Sequence, residues 1–359
     1  MADACDGCLR RTALLAALAA RLDIEWRRRS APSGVLSLPN EALIGLDPTG
    51  VVAAAHARFA PAAERKRIEA AALDAVCRCS PAYPSRLLEL PDPPAVLHVA
   101  GDRAALEDVN AVAVVGARRG TPYGLSVARS LGQSLSTAGT TVVSGLALGV
   151  DSAAHLGALD ASGRVVAVLA GGADVPYPAR NRALHRRVVE RGCVISELPP
   201  GFAPHRWAFV ARNRIIAGLA AMTVVVEATE RSGSLTTADF AAQVGRAVGA
   251  VPGPVTSRFS AGANALIAAG AVVVRDVRDV RDIVLGPGAP PIAVAPAEPP
   301  EPHLQRLVRA IERGHGTPAE LAGRAEDFAR VLHHLTELEL RGLVRRDFGG
   351  RYVRAQGAP

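Results

Sequence analysis

Lysine is all but missing from this chain of 359 residues: it occurs once, at Lys66, so almost all of the 41 basic side chains are arginine. Aromatic residues make up 4% of the sequence, too few for a surface that binds mainly by stacking. No apolar run reaches the roughly 18 to 20 residues that cross a bilayer; the stretch from Ile215 to Val226 is too short and carries Gly218. Residues 12 to 20, after Arg10 and Arg11, have the apolar look of a signal peptide. Arg21, Asp23 and Glu25 come at once without a convincing cleavage site, so a cytoplasmic protein with no membrane partner is expected. The five cysteines are an odd number in a long chain, which argues against a disulfide framework.

What is present is positive charge and a patterned core. The formal net charge of +7 suits a polyanionic partner, although charge excess bears on association and not on fold. Cys5-x-x-Cys8 and Cys77-x-Cys79 offer a four-thiolate zinc site if the N-terminal region folds back on itself, but two short spacings with no supporting histidine leave that open. Cys193 opens an apolar strand pattern and reads as core.

Residues 1–80 read as a small helical module of the SAM or helix-hairpin-helix kind, with LRRTALLAALAARL, PNEALIGL and AERKRIEAAALDAV apolar at helical spacing. It is either a cap on the main domain or a contact for a DNA backbone. A domain over 81–285 opens with a proline-rich connection that closes on the strand AVLHV. From Val112 to about Asp282, short β-branched runs alternate with helical stretches: VAVVG, TVVSG, VVAVLA, CVIS, TVVVEA, AVGAVP and AVVV. Near-uniformly apolar strands predict a mostly parallel sheet covered on both faces, hence a doubly wound, Rossmann-like α/β fold. Residues 286–302 hold seven prolines and read as a semi-rigid linker. Residues 303–359 give three helices and a hairpin turning at Gly349-Gly350, the pattern of a winged helix. Its third helix is not especially basic, so a protein contact or a plain appendage is as open as a DNA groove reader.

In a doubly wound sheet, ligands bind beyond the carboxyl ends of the strands, and the informative residues gather there. Gly116, Arg118 and Arg119 come after the first strand, Ser144 and Gly145 after the second, and Asn181 lies in the loop after the third. The segment 206–239 adds Arg206, Phe209, Arg212, Asn213 and Arg214, then the loop Ser232-Gly233-Ser234 opening a helix. Guanidinium forks and a helix N-terminus both suit phosphate, so an anion site is expected, with Tyr177, Trp207 and Phe209 as faces for stacking. Arg212 is expected to open a helix; its alternative is an internal salt bridge to Glu197 or Glu227.

Other chemistries fit less well. Gly116, Gly120 and Gly124 have the wrong spacing for a dinucleotide fingerprint, and no Asp or Glu occurs between Val112 and Val150 to hold a ribose. Asp151 and His155, four apart on a helix, could pair for catalysis or satisfy each other structurally. Glu197 and Glu227 both end strands at the rim. Gly233-x-x-Thr236-x-x-Asp239 resembles the phosphate loop of nucleoside-monophosphate phosphoribohydrolases, but Ser232 and Leu235 stand where that family has other residues. Such an enzyme, using Asp239 or Glu227, is the alternative function.

The motifs VAVVGARRGTPYG, VSGLALGVDSAAHLGAL, AVLAGGADVPYPARN, ISELPPG, FVARNRIIAGLA, VVEATERSGSLTTADFA and VPGPVTS with GANALIAAGA together resemble the DprA/Smf family of DNA-processing proteins across residues 81 to 283. The resemblance implies a non-enzymatic mediator without cofactor or catalytic residue, which binds single-stranded DNA as a homodimer and helps load RecA recombinase during DNA uptake. It implies that Arg118 contacts the DNA backbone. The family's Phe-Pro-x-Arg-Asn-Arg is here Phe209-Val210-Ala211-Arg212-Asn213-Arg214, with Val210 in the proline's place, and Arg206 is the nearest basic residue before it. The dimer contact is expected at Leu266 and Ile267, in the helix before the last strand.

Overall fold

A computed structural model describes residues 4–29, 34–287, 301–323, 325–340, 343–347 and 350–354. It divides into two compact units, 1–291 and 292–359. Most of the proline-rich segment, 288–300, and Gly349 of the expected hairpin turn lie outside the described residues. None of the described helices is long and apolar enough to cross a membrane.

The first unit is built on one sheet. Strands β1 (Asp74–Cys77), β2 (Val96–Gly101), β3 (Val112–Val115), β4 (Val142–Ser144), β5 (Val165–Val168), β6 (Cys193–Ser196), β7 (Met222–Val225), β8 (Ala247–Ala250) and β9 (Val272–Val273) lie in the order β1-β2-β6-β5-β4-β3-β7-β8-β9. Pairing is parallel from β6 through β9, while β2 runs antiparallel to both β1 and β6. The doubly wound α/β fold expected from the strand pattern is therefore present. The stretch read as wholly helical, 1–80, departs from expectation at its end. Asp74–Cys77 is a strand because Ala75, Val76 and Cys77 are fully covered in the sheet, and its register is set by pairing with β2, a long-range partner that no local pattern announces.

Alternate strand residues feed two cores, as period-two geometry requires. Val112 and Val114 pack with Leu131, Leu135, Ala154 and Ala158 from helices Pro122–Thr137 and Val150–Asp160. Ala113 and Val115 pack on the other face with Ile215, Ile216 and Leu219 from helix Arg206–Leu219. Burial of each large aliphatic side chain contributes roughly 1.5–3 kcal/mol. A third cluster joins Leu14, Leu15, Leu18, Leu22, Leu43 and Val52 of the N-terminal helices to Trp207, Ala208 and Ala211. Asp23 fixes this contact: its carboxylate accepts from the Trp207 backbone N–H at 2.9 Å and lies 3.2 Å from His205 Nδ1, capping helix Arg206–Leu219 from another element.

The second unit has helices Pro302–Glu312, Pro318–Ala322 and Phe328–Leu340, then the antiparallel pair β10 (Val344–Arg346) and β11 (Tyr352–Arg354). Its own small core includes Leu304, Ile311, Leu335, Leu338 and Tyr352.

Because each unit has a separate core, a chain ending at Pro287 is expected to unfold in one cooperative transition with the midpoint that the first unit shows in the full-length protein. Scanning calorimetry of both proteins checks this; a large drop in the midpoint would show that the second unit holds the first together.

Candidate anion-binding cleft

The connections from β3 and β7 diverge. The first leads through helix Pro122–Thr137 to β4 on one side, the second through helix Gly233–Gln243 to β8 on the other. Adjacent strands with diverging crossovers leave a crevice at their carboxyl ends. A cleft of about 200 Å³ lies there, lined by Gly116 and Arg118 after β3, by Ala147 and Asp151 from the β4 connection, by Phe209, Arg212 and Asn213, and by Ser232, Gly233 and Ser234 after β7.

Arg212 is the centre of the cleft. It is 6% exposed and lies two turns inside helix Arg206–Leu219 rather than opening it; Arg206 occupies the exposed first position. Its Nη1 donates to the Val168 carbonyl at 2.5 Å, while Nε is buried without a partner. The expected alternative of a salt bridge to Glu197 or Glu227 does not occur: Arg212 makes no ion pair among the described residues. Burial lowers its pKa to about 10, against the opposing pull of Asp151 and with help from the like charge of Arg118, so the group is a cation at neutral pH. A buried, under-bonded guanidinium is costly unless an anion completes it.

The surroundings keep Arg212 in place. Gly145 lies under the guanidinium so closely that an added Cβ would sit 1.9 Å from Nη1, which is why this turn has no side chain. Asp151 accepts from the backbone N–H groups of Gly145 at 3.1 Å and Ala147 at 3.4 Å. Its pKa is raised by burial, with Arg212 opposing. Asp151 and His155 do not pair; both ring nitrogens of His155 are buried without a partner, and burial, then the Arg212 charge, lowers its pKa to about 3.

At the mouth, Arg118 is exposed, makes no ion pair among the described residues, and lies 5.3 Å from the centre of the Phe209 ring. Phe209 in turn is 5.4 Å from the exposed ring of Tyr177. Asn213 donates to the Gly233 carbonyl at 3.0 Å and to Thr236 Oγ1 at 2.9 Å, tying the arginine helix to the Ser232-Gly233-Ser234 turn. Ser232 caps the helix that begins at Gly233, accepting from Ser234 N–H, and the space above Gly233 is open.

Several expected site residues do other work. Arg214, two residues from Arg212, faces away: its guanidinium forks onto Glu197 at 2.8 and 2.7 Å and its Nε meets Asp92 at 3.1 Å, with Arg214 and Glu197 buried and Asp92 partly so. Burial opposes its charge, but Glu197 and Asp92 outweigh burial and raise its pKa. Ser144 is fully buried and donates to the Val114 carbonyl. Asn181 donates to the Leu146 carbonyl and to Ser152 Oγ, both at 2.8 Å, bracing the loop after β4. Trp207 is 1% exposed and belongs to the N-terminal core, so it offers no stacking face. Arg119 is exposed but does not line the cleft. Leu266 and Ile267 are partly buried against the sheet.

Two carboxylates hold structural roles that the sequence did not assign. Glu227, 2% exposed, accepts from Thr121 N–H at 2.8 Å and Thr121 Oγ1 at 2.6 Å, which latches the end of β7 to the start of helix Pro122–Thr137. A Cβ on Gly124 would meet that carboxylate at 2.3 Å. Its place directly after a strand was the available signal. Asp23, the cap on helix Arg206–Leu219, gave none.

The family model for DNA recombination-mediator protein A matches residues 74–284. The chain belongs to the DprA family. It is 43% identical over 277 residues to a DNA processing protein DprA of Mycobacterium tuberculosis, covering 73% of this chain and 69% of that one. It is 37% identical over 287 residues to protein Smf of Escherichia coli, covering 77% and 76%. Among solved structures, DprA of Streptococcus pneumoniae superposes with a TM-score of 0.63 at 32% identity over 76% of this chain and 95% of that one. DNA processing protein A of Helicobacter pylori, whose structure is described for its single-stranded DNA binding mode, gives 0.52 at 29% identity over 56% and 92%.

The buried charges give two expected outcomes. Arg214→Ala leaves Glu197 and Asp92 without their cation and is expected to destabilise the first unit by roughly 3–5 kcal/mol, measured as a shift of the urea midpoint. His98, fully buried in β2 with its pKa lowered by burial to about 4, and His155 stay neutral in the folded protein, while the unfolded chain protonates both near pH 6.5. Their contribution is intact above that pH and falls as the pH drops towards 4, by roughly 2 kcal/mol per histidine at pH 5. Urea titrations at pH 7 and pH 5 measure the loss, which a His98→Asn/His155→Asn double variant should reduce.

Proposed function

We propose that this chain binds single-stranded DNA without catalysis, as a homodimer, and assists loading of RecA recombinase on that DNA during uptake and recombination. The observation that carries the DNA reading is Arg212: a buried cation with one carbonyl partner, at the floor of a cleft whose mouth holds Arg118 against Phe209. A phosphate in the cleft satisfies Arg212 and meets the capped start of helix Gly233–Gln243, and a neighbouring base can stack on Phe209 or Tyr177. Arg118, Arg119 and Arg206 extend the positive rim at exposed positions, which suits a strand tracked by its backbone with little sequence preference. The single-stranded DNA binding of the H. pylori relative supports this reading, as does family membership for the RecA role.

The absence of catalysis is supported by the carboxylates. Glu227 is engaged by Thr121, and Asp239 is exposed on its helix and does not line the cleft. The homodimer reading places Leu266 and Ile267 at a contact beside β9, a two-residue edge strand with Val273 exposed; an open edge of this kind invites a partner.

Titration of a labelled oligonucleotide across a range of salt concentrations tests the proposal. Arg118→Ala and Arg212→Ala should each weaken binding and flatten the slope of log affinity against log salt by about 0.7, the share of one phosphate on a single strand. Gly145→Ala, whose Cβ displaces the Arg212 guanidinium, should reproduce the Arg212→Ala effect. Folded variants with wild-type affinity and slope would remove the cleft from the DNA site. Release of free base from nucleoside monophosphates, without oligonucleotide binding, would favour the phosphoribohydrolase alternative.

A further inference from the structure

The fold brings together four cysteines that the DNA site does not use. Cys5 precedes helix Asp6–Ala17 and Cys8 lies in its first turn; Cys77 ends β1 and Cys79 lies in the next turn. Some 70 residues apart in sequence, the four sulfur atoms all lie within 4.8 Å of one another. Cys8 Sγ and Cys79 Sγ are 3.7 Å apart, and the Cys5 backbone N–H donates to Cys77 Sγ at 3.4 Å. A metal held tetrahedrally by four thiolates at about 2.3 Å separates its sulfurs by roughly 3.8 Å, so small side-chain adjustments close the set around one ion. We propose that Cys5, Cys8, Cys77 and Cys79 bind a structural zinc ion that staples the N-terminal helix to the edge of the sheet.

The ligands decide both the metal and its role. Four soft thiolates on one centre select zinc over hard cations that need oxygen. With all four positions supplied by protein no site remains for water or substrate, so the ion holds structure and does not catalyse. Cys8 and Cys77 are buried while Cys5 and Cys79 are exposed, so the site sits at the surface, half sunk, where an ion can enter. Arg65 donates to the carbonyl of Ala4, next to Cys5, and to the carboxylate of Asp6, which ties the first ligand pair to helix Pro61–Ala70 just before β1. Cys193 is buried in β6 outside the cluster. The place of the staple gives its purpose. β1 is one of the two edge strands of the sheet, and helix Asp6–Ala17 belongs to the layer that packs on Trp207 and Ala211 of the arginine helix. An ion joining the two fixes that layer from its far end.

The full-length untagged protein, purified under reducing conditions without chelator, is expected to carry about one zinc per chain by elemental mass spectrometry. After removal of the metal, titration with Co²⁺ should give the intense visible bands of tetrahedral cobalt and near-ultraviolet thiolate charge-transfer absorption. The melting midpoint should fall by about 5 °C or more on metal removal and recover with zinc. Cys5→Ser and Cys79→Ser, at exposed positions and checked for fold by circular dichroism, should each weaken Co²⁺ binding about 10-fold or more; Cys193→Ser should leave it unchanged. Reduced wild-type protein that neither carries zinc nor develops the cobalt spectrum would overturn the proposal. So would a bound iron–sulfur chromophore, or serine variants that bind Co²⁺ as the wild type does.

Discussion

The cleft exists because two neighbouring parallel strands, β3 and β7, send their chains to opposite sides of the sheet. Right-handed crossovers then place their helices on opposite faces, which leaves a gap at the carboxyl ends between them. Everything at the site depends on holding that gap open and lined. Glu227 does part of this by clamping the start of helix Pro122–Thr137 to the end of β7. Asn213 does the corresponding job on the other wall, where it bonds to Gly233 and Thr236. The floor is Arg212, anchored on the carbonyl of Val168 at the end of β5.

Arg212 and Arg214 show how one helix assigns like residues to unlike roles. Two positions along an α-helix are about 200° apart around its axis, so the side chains leave in nearly opposite directions. Arg214 enters a pocket with Glu197 and Asp92, where two carboxylates outweigh the cost of burial. Arg212 enters the cleft with one backbone carbonyl and, further off, the Asp151 carboxylate that itself serves two loop N–H groups. The first is a completed ion cluster and the second an incomplete one. Incompleteness at a buried charge is what distinguishes a site from a brace here.

The N-terminal helices are coupled to the same helix. Asp23 caps it at Trp207, and the Leu14 to Leu22 face packs against Trp207, Ala208 and Ala211. The helix that carries both arginines is thus fixed at its start by a carboxylate and along its length by an apolar contact, so the cleft floor rests on the N-terminal layer as well as on the sheet.

The strand runs, the two-faced cover of the sheet and the gathering of glycines and arginines at the strand ends were legible in the sequence, because period-two burial and turn chemistry are local properties. The motif order across 81 to 283 carried the family as well. What local pattern does not hold is direction and partner. Nothing in the sequence separates Arg212 from Arg214, gives Ser144 and Asn181 to loop bracing, or sends Trp207 into a core, since each outcome depends on which distant group lies opposite once the chain is packed. The strand at Asp74–Cys77 came only with its β2 partner. The meeting of Cys5 and Cys8 with Cys77 and Cys79 likewise needed the tertiary fold, because some 70 residues of chain must return before two short spacings become one site.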